Sequence, residues 1–291
     1  MKPVAAKTIS LVFFSRVGEM AETPVSEAKI EAAPTPPPET MPPAPLLTKF
    51  RAVVSSGGKR SNAVFTTNDL RAIIEVAATF GSKTAFLVDA DGIKVRMLDD
   101  AKIALLDAVL PRSVFASFDA DGKGYVVVDT KSLLTILRRA KNKEVELKFE
   151  NGILTVTIAG VRSFRVRTID SAGEEVPQPK VNHKVSAYVD VEALKEAVVD
   201  AKALKADTVK LVAENGVLLF KGINETKEVE VKLAPCTDTG SSSYSLDYLV
   251  KALKAFNDGI VEVKYGTSAP LEITATFNEG YVKVYVAPRV E

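Results

Sequence analysis

Two stretches of this chain share a tetrapeptide: LVDADGIKVR at residues 87–96 and SFDADGKGYV at residues 117–126. Paired Asp-Ala-Asp-Gly segments invite comparison with calcium loops, and spacing rejects it. An EF-hand loop needs oxygen ligands at positions 1, 3 and 5, Gly at 6 and a bidentate Glu at 12. With Gly122 at position 6, positions 1 and 12 are Ser117 and Val128; with Gly92 there, they are Leu87 and Leu98. The flanks TAFLV and IKVRM read as strands, whereas calcium loops sit between helices. Asp-Gly supplies the positive φ of a tight turn, so both copies predict β-hairpins.

The same arrangement recurs along the chain. Asn151-Gly152 separates EVELKF from ILTVTIAG, Asn215-Gly216 separates TVKLVA from VLLFKG, and GTSAP joins IVEVKY to LEITATF. The turns return at roughly sixty-residue intervals, an internal repeat. A further β-rich run follows each pair: KIALLDAVL, SFRVRTI, KEVEVKL and YVKVYVA. Ahead of each pair stands a helical pattern: TNDLRAIIEVAATF, TKSLLTILRRAK, DVEALKEAVVDAKAL and SLDYLVKALKAF. These open near the capping residues Thr67, Asp129, Asp190 and Ser245 and place apolar residues at helical spacing, as with Leu70, Ile73, Ile74 and Ala77. A short strand leads into each helix: FRAVVSS with AVF, then YVVVD, KVSAYVD and SSSYS. The unit is a strand, a helix and a three-strand meander, written four times.

Four units predict an α+β protein of two similar domains, each with helices on one face and antiparallel sheet on the other. The first domain spans 47–170 and the second 184–291. The stretch SAGEEVPQPKVNH at 171–183 carries Pro, Gly and adjacent carboxylates without apolar period, and reads as the connecting loop. Residues 1–46 are rich in Pro, Glu and Ala and read as a disordered tail. The tail's apolar run, ISLVFF at 9–14, is too short for a secretory or membrane segment. Met20 begins a more ordinary N-terminus, so the first nineteen residues read as an alternative start.

Composition limits the chemistry. The 291 residues are 46% hydrophobic, with one Cys and one His. No intrachain disulfide can form, which favours an intracellular setting, and no zinc-type cluster exists. Cys236 and His183 lie far apart in sequence with no third orienting group, a poor basis for a nucleophile and base. SGGKRS at 56–61 fails as a phosphate loop because the first glycine would fall on Val53. The expectation is a protein without catalytic residues, cofactor or metal.

Net charge is only +1, yet the charge is uneven. The second helical pattern and its exit carry Lys131, Arg138, Arg139, Lys141 and Lys143 with no acid between them. The third carries Lys195, Lys202 and Lys205 offset by Glu192, Glu196 and Asp200, and the fourth carries Lys251 and Lys254. Helices that bury one face leave the other to solvent, so equivalent elements can share one basic surface.

The four units, the Pro-containing connection, AATFGSKTAFLVDADGIKVRMLDDAKIALLDAVLP in the first unit and the C-terminal YVAPRVE resemble the sliding clamps of the PCNA (proliferating cell nuclear antigen) family, in archaeal style. The resemblance covers about residues 50–291. It implies the DNA clamp fold in a ring of three subunits around duplex DNA, with helices lining the hole. It further implies a nucleoid-associated cytoplasmic protein that tethers DNA enzymes and does no chemistry itself. A basic lining contacts phosphates without reading bases, which permits sliding. By position the lining includes Arg71, Arg138, Arg139, Lys141, Lys143, Lys195, Lys202, Lys205, Lys251 and Lys254.

Clients of the family, among them DNA polymerase, flap endonuclease, DNA ligase and the clamp loader, insert a short hydrophobic motif, the PIP box, beneath the interdomain loop. The matching positions are Leu98, Ile103, Leu105, Val176, Pro177, Pro270, Tyr285, Ala287, Pro288 and Val290. The resemblance places the subunit edges at VRSFRVRT (161–168) and TKEVEVK (226–232), where Arg162, Arg165 and Arg167 of one copy face Glu228 and Glu230 of the next. The hairpin SSGGKRSN (55–62) is longer than the family pattern. Two other readings stand beside the clamp: a clamp paralogue acting mainly as an assembly or regulatory partner in a mixed ring, and an unrelated β-rich small-molecule-binding protein.

Overall fold

Asn-Gly at 151–152 and 215–216 takes positive φ at both residues, the backbone of the tight two-residue hairpin. Those turns, with the Asp-Gly turn at 91–92, set the meanders of a computed structural model describing residues 46–56, 65–170 and 176–289. The first unit is β1 (Lys49–Val54), α1 (Thr67–Phe80), β2 (Lys83–Asp89), β3 (Gly92–Leu98) and β4 (Ala104–Pro111). A short β5 (Ser117–Ala120) precedes the second unit: β6 (Gly124–Asp129), α2 (Thr130–Ala140), β7 (Val145–Glu150), β8 (Ile153–Ile158) and β9 (Arg162–Arg167). The third is β10 (Val185–Asp190), α3 (Val191–Ala203), β11 (Thr208–Glu214), β12 (Val217–Ile223) and β13 (Glu228–Pro235). The fourth is β14 (Gly240–Ser245), α4 (Leu246–Ala252) extended by a 3-10 turn at Leu253–Ala255, β15 (Ile260–Tyr265), β16 (Leu271–Phe277) and β17 (Gly280–Val286). No helix among the described residues is long and apolar enough to cross a membrane.

The leading strands do not pair within their own units. β1 pairs with β7 and β6 with β2; likewise β10 pairs with β15 and β14 with β11. Each unit therefore completes its neighbour's sheet. The result is a five-stranded sheet β5-β1-β7-β8-β9, a four-stranded sheet β13-β12-β11-β14 and an eight-stranded sheet β10-β15-β16-β17-β4-β3-β2-β6. The last runs unbroken across the two halves of the chain through β4 and β17, from Val109 opposite Tyr281 to Ala104 opposite Val286.

The two Asp-Ala-Asp-Gly copies part company here. The first is a hairpin, with Asp89 opposite Gly92. Gly92 has φ 143°, and a Cβ there would run into the Leu110 carbonyl, so glycine is required. The second is not the hairpin its sequence predicts. β5 pairs with β1 and β6 with β2, so this turn carries the chain from one sheet to another. Gly122 does not adopt a positive φ. The reason is tertiary: the Asp121 carboxylate accepts the Thr48 and Lys49 N–H groups, each at 2.9 Å, and the Thr48 hydroxyl. The Thr48 hydroxyl leads in holding that carboxyl down at about 2.

The helices form a single layer. α1 packs beside α2, the 3-10 turn after α4 packs on α1, and α3 touches α4, giving the order α2-α1-α4-α3. Apolar stripes such as Leu70, Ile73, Ile74 and Ala77 are buried in the same core as the inner faces of the sheets. Asp129 and Asp190 cap α2 and α3 through Ser132 N–H (2.8 Å) and Glu192 N–H (2.7 Å). The cap of α1 is Thr66 rather than Thr67, in a reciprocal box with Asp69, because Thr67 is turned inward to the Ser55 carbonyl. Ser245 precedes α4 without a side-chain cap bond. Residues 1–45, residues 57–64 with most of the SSGGKRSN stretch, residues 171–175 and Val290 lie outside the described residues.

Candidate nucleic-acid interface, peptide groove and subunit edges

The exposed faces of α1, α2 and the 3-10 turn enclose a shallow groove on the helix layer. Lys131 and Arg138 of α2, Glu75 and Thr79 of α1, and Lys254 line it. Basic residues from separate units thus meet on one surface. Arg138 Nε lies 3.3 Å from Glu75 Oε1, a largely exposed pair of little worth to stability that leaves the guanidinium free to take another anion. Arg139 is exposed in the same last turn, and Arg71 is half-buried four residues before Glu75 on α1. Lys141 and Lys143 are exposed past the end of α2.

The second half of the layer differs. Lys195 donates to the carbonyls of Phe256 (2.6 Å) and Asn257 (2.8 Å), where burial pushes its ammonium below the ordinary lysine value. It serves the end of the 3-10 turn, not the open face. Lys202 and Lys205 are exposed, with Glu192, Glu196 and Asp200 exposed beside them on α3. The Lys251 ammonium stands 4.3 Å from the Tyr248 ring centroid, and the Tyr248 hydroxyl donates to Asp99 at 3.1 Å. The layer is basic over α2 and Lys254 and mixed in sign over α1 and α3.

On the opposite side, the outer face of the eight-stranded sheet collects the residues expected to hold a peptide. Leu98 stands opposite Leu105, and Leu105 opposite Tyr285, in one row across β3, β4 and β17. Leu98 is 37% exposed, whereas Leu105 and Tyr285 are nearly covered. The Ile103 carbonyl accepts the Ala287 N–H at 2.8 Å, and Pro288 bridges to Tyr244 on β14. Pro270 and Pro288 are half-buried and Pro177 is exposed. The connecting segment is held here too: Arg96 Nη1 donates to the Val176 carbonyl at 3.1 Å.

Beneath the segment lies a cluster of charges that sequence reasoning did not single out. Arg96 Nε is 2.9 Å from Asp107 Oδ1, and the Tyr281 hydroxyl donates to Asp107 Oδ2 at 3.2 Å. Burial and that neighbouring carboxylate push the Tyr281 hydroxyl up to about 12. Lys283, opposite Asp107, donates to Glu272 at 3.2 Å, as does the Thr274 hydroxyl at 3.0 Å. Burial alone would raise the Glu272 carboxyl; Lys283 and Thr274 outweigh it and hold the group below its ordinary value. The available signal was a lone acid inside an apolar strand, as in ALLDAVLP and LEITATF.

His183 and Cys236 have separate surroundings. The thiol faces the Ser186 carbonyl at 3.7 Å, while the imidazole Nε2 lies 3.2 Å from the Pro270 carbonyl and Nδ1 3.9 Å from Glu272. Burial pushes His183 below its ordinary 6.5 despite that carboxylate, so the folded state holds it neutral at pH 7. The unfolded chain then binds more protons as pH falls through about 6.5, and stability drops on acidification. His183→Gln should flatten the fall of the melting midpoint between about pH 7 and pH 5.5. An equally steep fall in the variant would assign the acid sensitivity to another group.

The five- and four-stranded sheets end in open edges. β9 closes the first sheet and β13 the second, among the described residues. α2 packs on β9 and α3 on β13, so the two edges stand at opposite ends of the helix row. On β9, Phe164 and Val166 face inward while Arg165 and Arg167 are exposed. Arg162 shares the inward parity and reaches the Arg139 carbonyl at 3.4 Å. On β13, Val229 and Val231 face inward while Glu228 and Glu230 are exposed, 3.7 and 2.7 Å from Lys221 of β12. Each edge is apolar inside and charged outside, with arginines on β9 and, on β13, Glu228 and Glu230 followed by Lys232.

Residues 64–163 match the model of the proliferating cell nuclear antigen N-terminal domain. The chain is 32% identical over 236 residues to a DNA polymerase sliding clamp of Thermococcus sibiricus, an alignment covering 75% of this chain and 94% of that protein. The structure of PCNA from Thermococcus kodakaraensis superposes with a TM-score of 0.73 at 25% identity, over 82% of this chain and all of that one. A PCNA of A. fulgidus solved with the C-terminal region of FEN-1 shares the fold, with a TM-score of 0.72 at 19% identity over 83% and 99% of the two chains. With four strand-helix-meander units and one helix layer ending at edge strands β9 and β13, this chain belongs to the PCNA family of DNA sliding clamps.

Proposed function

We infer that this protein is a DNA sliding clamp, closing head to tail into a three-subunit ring with duplex DNA along the helix layer and client enzymes on the outer sheet face. The observation that carries the reading is that edge strands β9 and β13 stand at opposite ends of the helix row, each apolar inside, with Arg165 and Arg167 outside on one and Glu228 and Glu230 outside on the other. A heterologous contact between unlike edges builds rings when the rotation closes. Strand addition would extend the sheet from one subunit into the next, giving every open N–H and C=O a partner. The groove of Lys131, Arg138 and Lys254 supplies phosphate attraction without base readout, and topology rather than affinity retains the ring.

The row of Leu98, Leu105 and Tyr285, with the connecting segment at its edge, suits an apolar peptide motif. The clients in this reading are DNA polymerase, flap endonuclease, DNA ligase and the clamp loader, each carrying such a motif. The FEN-1 tail bound to a PCNA of the same fold supports a flap endonuclease as one of them. The test is retention on DNA after loading by a clamp loader. The protein should stay on closed circular duplex through a high-salt wash and be lost when a single cut linearises that circle. Equal loss from both forms would exclude topological retention.

A further inference from the structure

The segment 176–183 crosses the outer face of the eight-stranded sheet without forming a strand of its own. It is fastened at two points. Near its start, the Val176 carbonyl accepts from Arg96 Nη1 at 3.1 Å. At its end, the His183 ring meets the Pro270 carbonyl at 3.2 Å, next to Glu272. Each fastener stands beside an acid buried in the sheet, Arg96 bonded to Asp107 and the His183 ring 3.9 Å from Glu272. Asp107 is 1% exposed and Glu272 is 6% exposed. Arg96, Asp107 and Lys283 stand opposite one another across β3, β4 and β17, one pleat from the row of Leu98, Leu105 and Tyr285. The Arg96 fastener and that apolar row therefore share one face of the sheet.

Stability alone does not explain this arrangement. Desolvating charges costs about as much as their attraction returns, and an apolar set of similar volume often holds a sheet equally well. What such a set could not do is grip a backbone carbonyl. Arg96 does both at once: its Nε is used on Asp107 at 2.9 Å while Nη1 reaches Val176. Only the forked, planar guanidinium offers two donors in fixed geometry; a lysine ammonium is a single point on a flexible stem.

We propose that Arg96, seated on Asp107, and His183, bonded to the Pro270 carbonyl, are positioning residues that fasten segment 176–183 over the sheet and so set the width of the client groove beside Leu98, Leu105 and Tyr285. This rests on the groove reading given above. Peptide affinity then depends on how firmly the segment is held as well as on the apolar row. Lysine at position 96 keeps the charge beside Asp107 yet loses the simultaneous bond to Val176.

The test uses full-length Arg96→Lys and His183→Gln proteins, with a synthetic peptide of an archaeal flap endonuclease C-terminus as the probe. Arg96→Lys should weaken peptide binding about tenfold by calorimetry, the scale of one missing charge-assisted hydrogen bond. Amide exchange across 176–183 should quicken while melting midpoint, solution mass and retention on circular DNA stay at wild-type values. His183→Gln should quicken exchange at the other end of the segment, and it carries the test if Arg96→Lys does not fold. Unchanged exchange in the segment would overturn the fastening. Faster exchange with unchanged peptide affinity would overturn its role in the groove. A wild-type protein that does not bind the peptide would instead sink the groove reading, leaving the exchange result to judge the fastening by itself.

Discussion

Reversing Arg165 and Arg167 to glutamate should reduce the assembled protein to single subunits, read as solution mass by light scattering. The two side chains project from the outer face of a free six-residue edge strand. In the proposed head-to-tail ring they would meet Glu228 and Glu230 of the next copy, and reversal would set acid against acid at every interface. Close charge pairs at protein interfaces couple by about 1.5–7 kcal/mol, and like charges cost several, so two reversed pairs outweigh a modest strand contact. The informative variant adds Glu228→Arg and Glu230→Arg to the same chain. Every interface then regains opposite signs, whatever the number of subunits, and the ring should re-form. Recovery should be partial, because Lys221 lies 3.7 and 2.7 Å from the two native acids and would repel the introduced arginines. A fourfold variant no better assembled than the double one would show that these charges do not face each other. Mixing the two doubly reversed chains is a further check: matched edges only alternate, so even-numbered assemblies should be favoured over three.

Replacing Arg138, Arg139 and Lys254 with alanine should weaken DNA binding equally on all sequences and flatten its dependence on salt. Each phosphate left without its cation lowers the slope of log K against log salt by about 0.9 for B-DNA, and a ring carries every substitution in each of its copies. Arg138 and Lys254 line one groove on the helix layer, and Arg139 meets β9 through its backbone carbonyl, which alanine keeps, so ring mass should not change. Lys195→Ala is the contrasting control. Its ammonium is occupied by the carbonyls of Phe256 and Asn257, so that change should lower the melting midpoint and leave the salt slope nearly untouched. A wild-type slope from the triple variant in an intact ring would mean that DNA does not pass along these helices. A large slope change from Lys195→Ala would mean that α3 carries more of the phosphate binding than its acids suggest.

These two experiments probe what the sequence displayed in different degrees. The edge strands were legible: RSFRVR and EVEVKLAP alternate charged and apolar residues, and the structure sets both at sheet margins. The helical charges were only half legible. Arg138 and Lys195 look alike as basic residues on amphipathic helices, yet one stands on the open face and the other satisfies buried carbonyls sixty residues away. Helical period places a residue on a side of its own helix. It does not say what the neighbouring element brings to that side. The groove divides similarly. Leu98, Leu105 and Tyr285 reach one row, whereas Asp107 and Glu272 were overlooked as members of apolar strands, their partners being contributed by other strands.

Helix, strand and turn follow from local sequence. Those choices are decided within a few residues, by the period of apolar side chains, by capping oxygens such as those of Asp129 and Asp190, and by Asn-Gly pairs whose backbone accepts positive φ. Strand pairing, by contrast, is set by long-range packing. Two copies of Asp-Ala-Asp-Gly are locally equivalent, yet one closes a hairpin and the other hands the chain from one sheet to another. A strand edge offers the same N–H and C=O groups to any neighbour, so its partner is chosen by the packing that brings edges together. At the second copy that choice is fixed by the bonds from Asp121 to Thr48 and Lys49, more than seventy residues earlier in the chain.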